Sequence, residues 1–220
     1  MSPTDITDDP DWTEGDTEVT SSDGVRFKIN AYNLFWASPV FAEAHARPFS
    51  NKDMELTDPD LETANILRLF FTVITTLHLP LDPFKDGDLK TLTNFLLFLS
   101  KWDAGQLYTF VLESIHTAVR GAKLPPLRVF QLGAILDNVD TCLVALHHTA
   151  GYDPWWEPWW TAGDDFRPFN PCGWSMRFYK EHKIPAPYLL ALSQAMGHSP
   201  SHPDAWFKEC LVKAKAADKQ

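Results

Sequence analysis

The stretch Asp23-Gly24-Val25-Arg26-Phe27-Lys28-Ile29-Asn30-Ala31-Tyr32-Asn33-Leu34-Phe35-Trp36-Ala37-Ser38-Pro39-Val40-Phe41 decides how this chain starts to fold. Val25, Phe27 and Ile29 alternate with Arg26 and Lys28, a period of two that sets apolar side chains on one face of a strand and charged ones on the other. A second short run begins at Thr17, and Ser22-Asp23-Gly24 lies between the two, so the segment reads as a β-hairpin with one buried face. After Asn30 the period changes. Leu34, Phe35 and Phe41 are interrupted by Ser38-Pro39, where the proline ends one short helix and is suited to open another.

Outward from there, Met54 and Leu56 alternate with Glu55 in a brief third strand. Asp58-Pro59 supplies an N-cap and a first-turn proline, so a helix is expected to start there. Its apolar positions Ile66, Leu69, Phe70, Val73, Ile74 and Leu77 repeat at three and four, and Pro80 and Pro83 stop it. Leu89, Leu92, Phe95, Leu96 and Leu99 form a second stripe; Leu107, Phe110, Val111, Ile115 and Ala118 form a third, with Trp102 to Gly105 between them. Pro125-Pro126 marks a boundary, and Val129 to Leu146 hold one or two more helices. Residues 151–173, with four prolines among Trp155, Trp156, Trp159, Trp160, Phe166 and Phe169, read as an aromatic, proline-rich loop. Short helices around Tyr188 to Met196 and Trp206 to Ala214 close the chain. Residues 1–15 have little to bury and read as a disordered acidic tail with Trp12 an isolated apolar residue. The organisation expected is thus a tail (1–15), an α+β domain made of a small sheet capped by helices (16–120), and an all-α extension (121–220).

The 220 residues are 45% hydrophobic, enough for a core, and carry a formal charge of -10 with a pI near 5.1. Nucleic acid is an unexpected partner, because a surface that neutralises phosphates has a basic face. Seven acids fall in the first eighteen residues, which hold no Lys or Arg, so the acidity belongs mainly to that end. The sequence has neither a basic start with an apolar run, as in a secretory signal, nor an apolar run of about 20 residues that would span a membrane. Cys142, Cys172 and Cys210 are few, odd in number and widely spaced, which fits reduced thiols and a cytoplasmic or nuclear protein.

The block from Asp23 to Ile29, then Leu34 and Ser38-Pro39-Val40-Phe41, resembles the opening of the BTB/POZ domain. The family pattern continues with a short strand (Met54 to Thr57), a helix ending in an aromatic-rich turn (Ile66 to Phe71), and a helix pair around a Lys-aromatic-Asp followed by Leu, here Lys101-Trp102-Asp103 and Leu107. The C-terminal half, with Pro126-Leu127-Arg128-Val129-Phe130 and Ile184-Pro185-Ala186-Pro187-Tyr188, looks like the helical extension of many fungal BTB proteins. The resemblance implies protein binding and no catalysis: pairing with itself, as a homodimer, or with another chain through the hairpin and first helices. It also implies a buried Asp16 near the start of the first strand. Asn30 stands where a histidine is usual and Ala37 where many members have a basic residue, so the partner of Asp16 must come from elsewhere, Lys28 or a backbone amide. Residues 43–53 lack the hydrophobic-x-Glu element by which adaptor members engage cullin scaffolds, which places the cullin-ligase adaptor second. A transcriptional co-regulator comes behind it, since no DNA-binding module accompanies the domain.

For protein binding the candidates are Asp16, Leu34, Trp36, Phe41 and the tryptophans Trp155, Trp156, Trp159 and Trp160. Leu34 and Phe41 at helical spacing serve either an interface or the core. Trp36 is the better interface residue, since a short helix cannot bury every face and Trp is enriched at interface hot spots; the alternative is a lid over the core. The WWEPWW run is either an aromatic platform for a proline-rich or cationic ligand or packing across the joint of the two halves. Only His198 and His202 have ligand-like spacing, and Ser199-Pro200 between them spoils a helical face, so no metal is expected. Without a Gly-x-Ser-x-Gly elbow, a phosphate loop or a His-Glu-x-x-His, no catalytic residue and no cofactor are assigned.

Overall fold

The computed structural model describes residues 6–46, 53–80, 89–121, 123–148, 184–199 and 202–218. It is a mixed α/β chain with four strands and nine helices among those residues: β1 (Thr7–Thr13), β2 (Thr17–Thr20), β3 (Val25–Ile29), α1 (Ala31–Ala37), α2 (Pro39–Ala46), β4 (Met54–Glu55), α3 (Ala64–Thr76), α4 (Leu89–Lys101), α5 (Gly105–Arg120), α6 (Pro126–Ile135), α7 (Val139–His147), α8 (Ala186–His198) and α9 (Pro203–Ala217). It divides into two units, Met1–Leu112 and Glu113–Gln220, the division falling inside α5 rather than at the expected break after residue 120.

In the first unit β2 and β3 form the expected antiparallel hairpin, in the register Thr17↔Ile29, Val19↔Phe27, Thr20↔Arg26. Gly24 ends the turn at φ 83, a conformation that costs other residues a steric penalty. Val19, Phe27 and Ile29 are buried, while on the opposite face Glu18 pairs with Arg26 at 3.6 Å and Lys28 at 3.5 Å. β4 adds parallel to β2, and β1 adds parallel to β3, so the sheet order is β1-β3-β2-β4.

β1 corrects, for residues 7–13, the reading of the first fifteen residues as a disordered tail. The free edge of β3 supplies hydrogen-bond partners, and an edge is where a proline such as Pro10 is tolerated. Asp9 is fully buried, but Arg68 of α3 donates to its Oδ2 at 2.6 Å, so the buried charge is paired. Trp12 is not isolated: its ring lies 5.4 Å from that of Phe71. At the end of β1, Gly15 passes so close to Ile29 that a Cβ would meet backbone atoms at 2.4–2.6 Å.

α3 starts at Ala64, not at Asp58. Asp58-Pro59 builds a turn instead, with the Asp58 side chain accepting from the amides of Asp60 and Leu61, each at 3.1 Å. The helix buries Ile66, Leu67, Leu69, Phe70, Phe71, Val73 and Ile74; Leu77 ends it in the left-handed conformation and is exposed. Phe27, Phe41, Phe70, Phe71 and Phe98 form one aromatic core with ring contacts of 5.1–5.9 Å. Asp103, at φ 49, turns α4 into α5.

In the second unit α6 and α7 pack as a hairpin, as do α8 and α9. Asn138 caps α7 by accepting from the Thr141 amide at 3.0 Å. Asp137, at φ 54 in the α6–α7 turn, accepts from the Tyr188 hydroxyl at 2.6 Å and from Lys215, tying that turn to α8 and α9. No helix among the described residues is long and apolar enough to cross a membrane.

Candidate functional site

The α1–α2 pair is short, and its orientation is set by a few polar contacts. Asn30 precedes α1 without a side-chain cap; Asp16 serves instead, its Oδ1 accepting from the Ala31 amide at 2.7 Å. Asp16 is exposed rather than buried, a backbone amide is among its partners, and Ala37 is a buried apolar residue. At the break between the helices the Ser38 amide donates to Leu34 O at 3.0 Å, and the Ser38 hydroxyl donates to Trp102 O and accepts from the Phe41 amide. Phe41 then stacks on the Trp102 indole, centroids 4.3 Å apart and planes 5° from parallel.

That mounting decides which side chains face out. Leu34, Ala37 and Phe41 are buried and belong to the core, so Leu34 and Phe41 present nothing to a partner in this conformation. Trp36 is 47% exposed, and Tyr32 (76%) and Val40 (37%) stand four residues to either side of it. Tyr32 and Trp36 are thus one turn apart on α1, while Val40 lies on α2, beyond the extended break at Ser38. Tyr32 was not among the expected interface residues, although its i, i+4 spacing from Trp36 within α1 was the available signal; Val40, beyond the Ser38-Pro39 break, had none.

Behind the pair, Glu62 holds Trp102 from the other side. This buried carboxylate accepts at Oε2 from the amides of Thr57 and Asp58, each at 2.8 Å, and at Oε1 from the Trp102 indole at 3.1 Å and Lys101 Nζ at 2.8 Å. Burial works against the charge of Lys101, but hydrogen bonds and attraction from Glu62 and Asp58 outweigh it and raise its pKa. Every donor has an acceptor and every oxygen two donors, so the network positions rather than reacts.

Elsewhere, burial pushes the Cys142 thiol well above its ordinary range, so it is no thiolate nucleophile. His198 stacks on Trp206 at 4.8 Å and His202 precedes α9; no group of three or more His, Cys, Asp or Glu that could hold a metal ion occurs among the described residues. Trp155, Trp156, Trp159 and Trp160, with all of residues 151–173 that were expected to form a loop, lie outside the described residues. The chain matches no protein-family model, no curated protein and no solved structure.

Proposed function

We propose that the chain is a protein-binding domain of the BTB/POZ type, not an enzyme, and that it pairs with a second copy through the outer face of α1 and α2. The observation that carries this reading is the exposure of Tyr32 and Trp36, one turn apart on α1, with Val40 exposed at the start of α2. Single exposed apolar side chains are ordinary, but two large aromatic ones on successive turns of one helix leave a surface whose removal from water stabilises association. Tyr and Trp dominate interface hot spots because they cover much area with few rotatable bonds. The face is also fixed in advance by Ser38, Phe41 and Trp102, so little ordering is required on binding. The order of elements after β1 adds support: hairpin, two short helices, a short strand, then three helices is the order the BTB/POZ resemblance implies.

The test is the solution mass by light scattering over a concentration range, for the native chain, Trp36→Ala and Tyr32→Ala. A dimer is expected whose dissociation constant rises about 30-fold in Trp36→Ala, the ~2 kcal/mol of a hot-spot residue. A monomer at every concentration, or a dimer indifferent to both substitutions, refutes the pairing.

A further inference from the structure

On the outer face of the sheet, charges alternate from strand to strand. Asp8 of β1 accepts from Arg26 of β3 at 2.7 Å, Arg26 reaches Glu18 of β2 at 3.6 Å, and Glu18 reaches Lys28 of β3 at 3.5 Å. The β1 residue in register with Lys28 is Thr13. Register partners on neighbouring strands share a face, as the bonded pair Asp8 and Arg26 shows, and Trp12, next to Thr13, packs on Phe71 from the opposite face. The Thr13 hydroxyl therefore stands on the side of the Lys28 ammonium. One end of β1 is tied to β3 by a cross-strand ion pair, while at the other end the cation faces an uncharged hydroxyl.

That hydroxyl is also accessible. β1 is an edge strand, Thr13 is its last residue, and Thr13 to Asp16 are all exposed. Glu14 and Asp16 follow at the first and third positions after it, Asp11 precedes it by two, and no Lys or Arg occurs before Arg26. An enzyme with a basic substrate groove selects such a segment by charge. Among the described residues Thr20, Thr57 and Ser100 also stand three before an acid. Thr20, however, is paired on both sides within the sheet, Ser100 lies in α4, and Thr57 leads into the Asp58-Pro59 turn whose amides Glu62 holds. We propose that Thr13 is a phosphorylation site for an acid-directed serine/threonine kinase, and that the phosphate pairs with Lys28 across the β1–β3 junction. In the transfer, Thr13 Oγ attacks the γ-phosphorus of Mg2+-bound ATP. The Oγ–P bond forms as the bond to the bridging oxygen breaks, ADP leaves with that electron pair, and the hydroxyl proton passes to the catalytic carboxylate of the kinase. The product dianion extends the alternation of charge by one position and gives the second end of β1 the tie that its first end has. This does not depend on pairing through α1 and α2.

The test incubates the folded full chain with an acid-directed kinase of the casein-kinase type and Mg2+-ATP, and locates incorporated phosphate by mass spectrometry. One phosphate on Thr13 is expected, absent in Thr13→Val. Asp16→Asn keeps an acceptor for the Ala31 amide but removes the charge, and should slow incorporation about tenfold, the loss of one charge-assisted contact. Hydrogen exchange of the β1 amides should slow about two- to fivefold on phosphorylation, the range of one exposed ion pair, and should not slow in phosphorylated Lys28→Met. No incorporation into the native chain, incorporation undiminished in Thr13→Val, or a rate indifferent to Asp16→Asn overturns the assignment of the site. Phosphorylated Thr13 without slower exchange, or slowing that persists in Lys28→Met, overturns the pairing with Lys28.

Discussion

Glu62→Gln is the substitution that tests the mounting of the α1–α2 face most directly. The change keeps shape and volume but replaces one oxygen by an NH2 group, and each oxygen of Glu62 accepts from two donors. Turned toward Thr57 and Asp58, the amide leaves two backbone N–H groups facing a donor. Turned toward Trp102 and Lys101, it strands the indole N–H, while Lys101 keeps Asp58 at 2.9 Å. The second orientation is the cheaper. A stranded buried donor costs about 1–3 kcal/mol, and the lost ion pair, with Lys101 40% exposed, adds no more than about 1 kcal/mol. The expected loss is therefore about 1–4 kcal/mol. For a chain of this length that lowers the thermal midpoint by roughly 2–15 °C. Urea denaturation followed by tryptophan fluorescence and circular dichroism measures it, with Lys101→Met as the control expected to cost under about 1 kcal/mol. A loss below about 1 kcal/mol in Glu62→Gln, or one no larger than in Lys101→Met, refutes the argument that Glu62 fastens Trp102 and through it Phe41 and Ser38.

Gly15→Ala forces a methyl into the Ile29 backbone and should cost about 2–3 kcal/mol by chemical denaturation while detaching β1; hydrogen exchange of the β1 amides reads the detachment. Lys215 and then the Tyr188 hydroxyl hold Asp137 below the ordinary carboxylate range, so its contribution is present above pH ~4 and is lost as pH falls from there through the lowered value. Asp137→Asn, which tolerates the left-handed conformation, should flatten the acid limb of the stability-pH curve below pH 4. His116 is buried, its Nε2 3.0 Å from Thr141 Oγ1, and burial lowers its pKa. Its neutral form therefore supports the fold above pH ~6.5, and stability falls as pH drops from 6.5 through the lowered value, a slope that should become shallower in His116→Gln.

Much of the first unit is legible locally. The alternation of Val25, Phe27 and Ile29 and the three-four spacing from Ile66 to Ile74 each report a buried face through a period that neighbouring residues set themselves. The Ser38-Pro39 break is equally local, because a proline amide cannot donate. The start of α3 was misplaced because Asp58 accepts from amides in a turn as readily as at a helix terminus, and the chain alone does not distinguish the two.

What the amino-acid sequence determined by itself was the set of elements with strong periods and the residue types available for an interface. The tertiary structure decided the rest. Thr7–Thr13 has an acidic, proline-containing sequence with no strand pattern, and becomes a strand because the β3 edge and Arg68, 59 residues from Asp9, provide hydrogen bonds and a counter-charge that no local window contains. Likewise Leu34, Trp36 and Phe41 are equally apolar in sequence. Which of them faces water was settled by Trp102, brought against Ser38 and Phe41 from the far end of α4, since burial is a property of what packs on a residue and not of the residue.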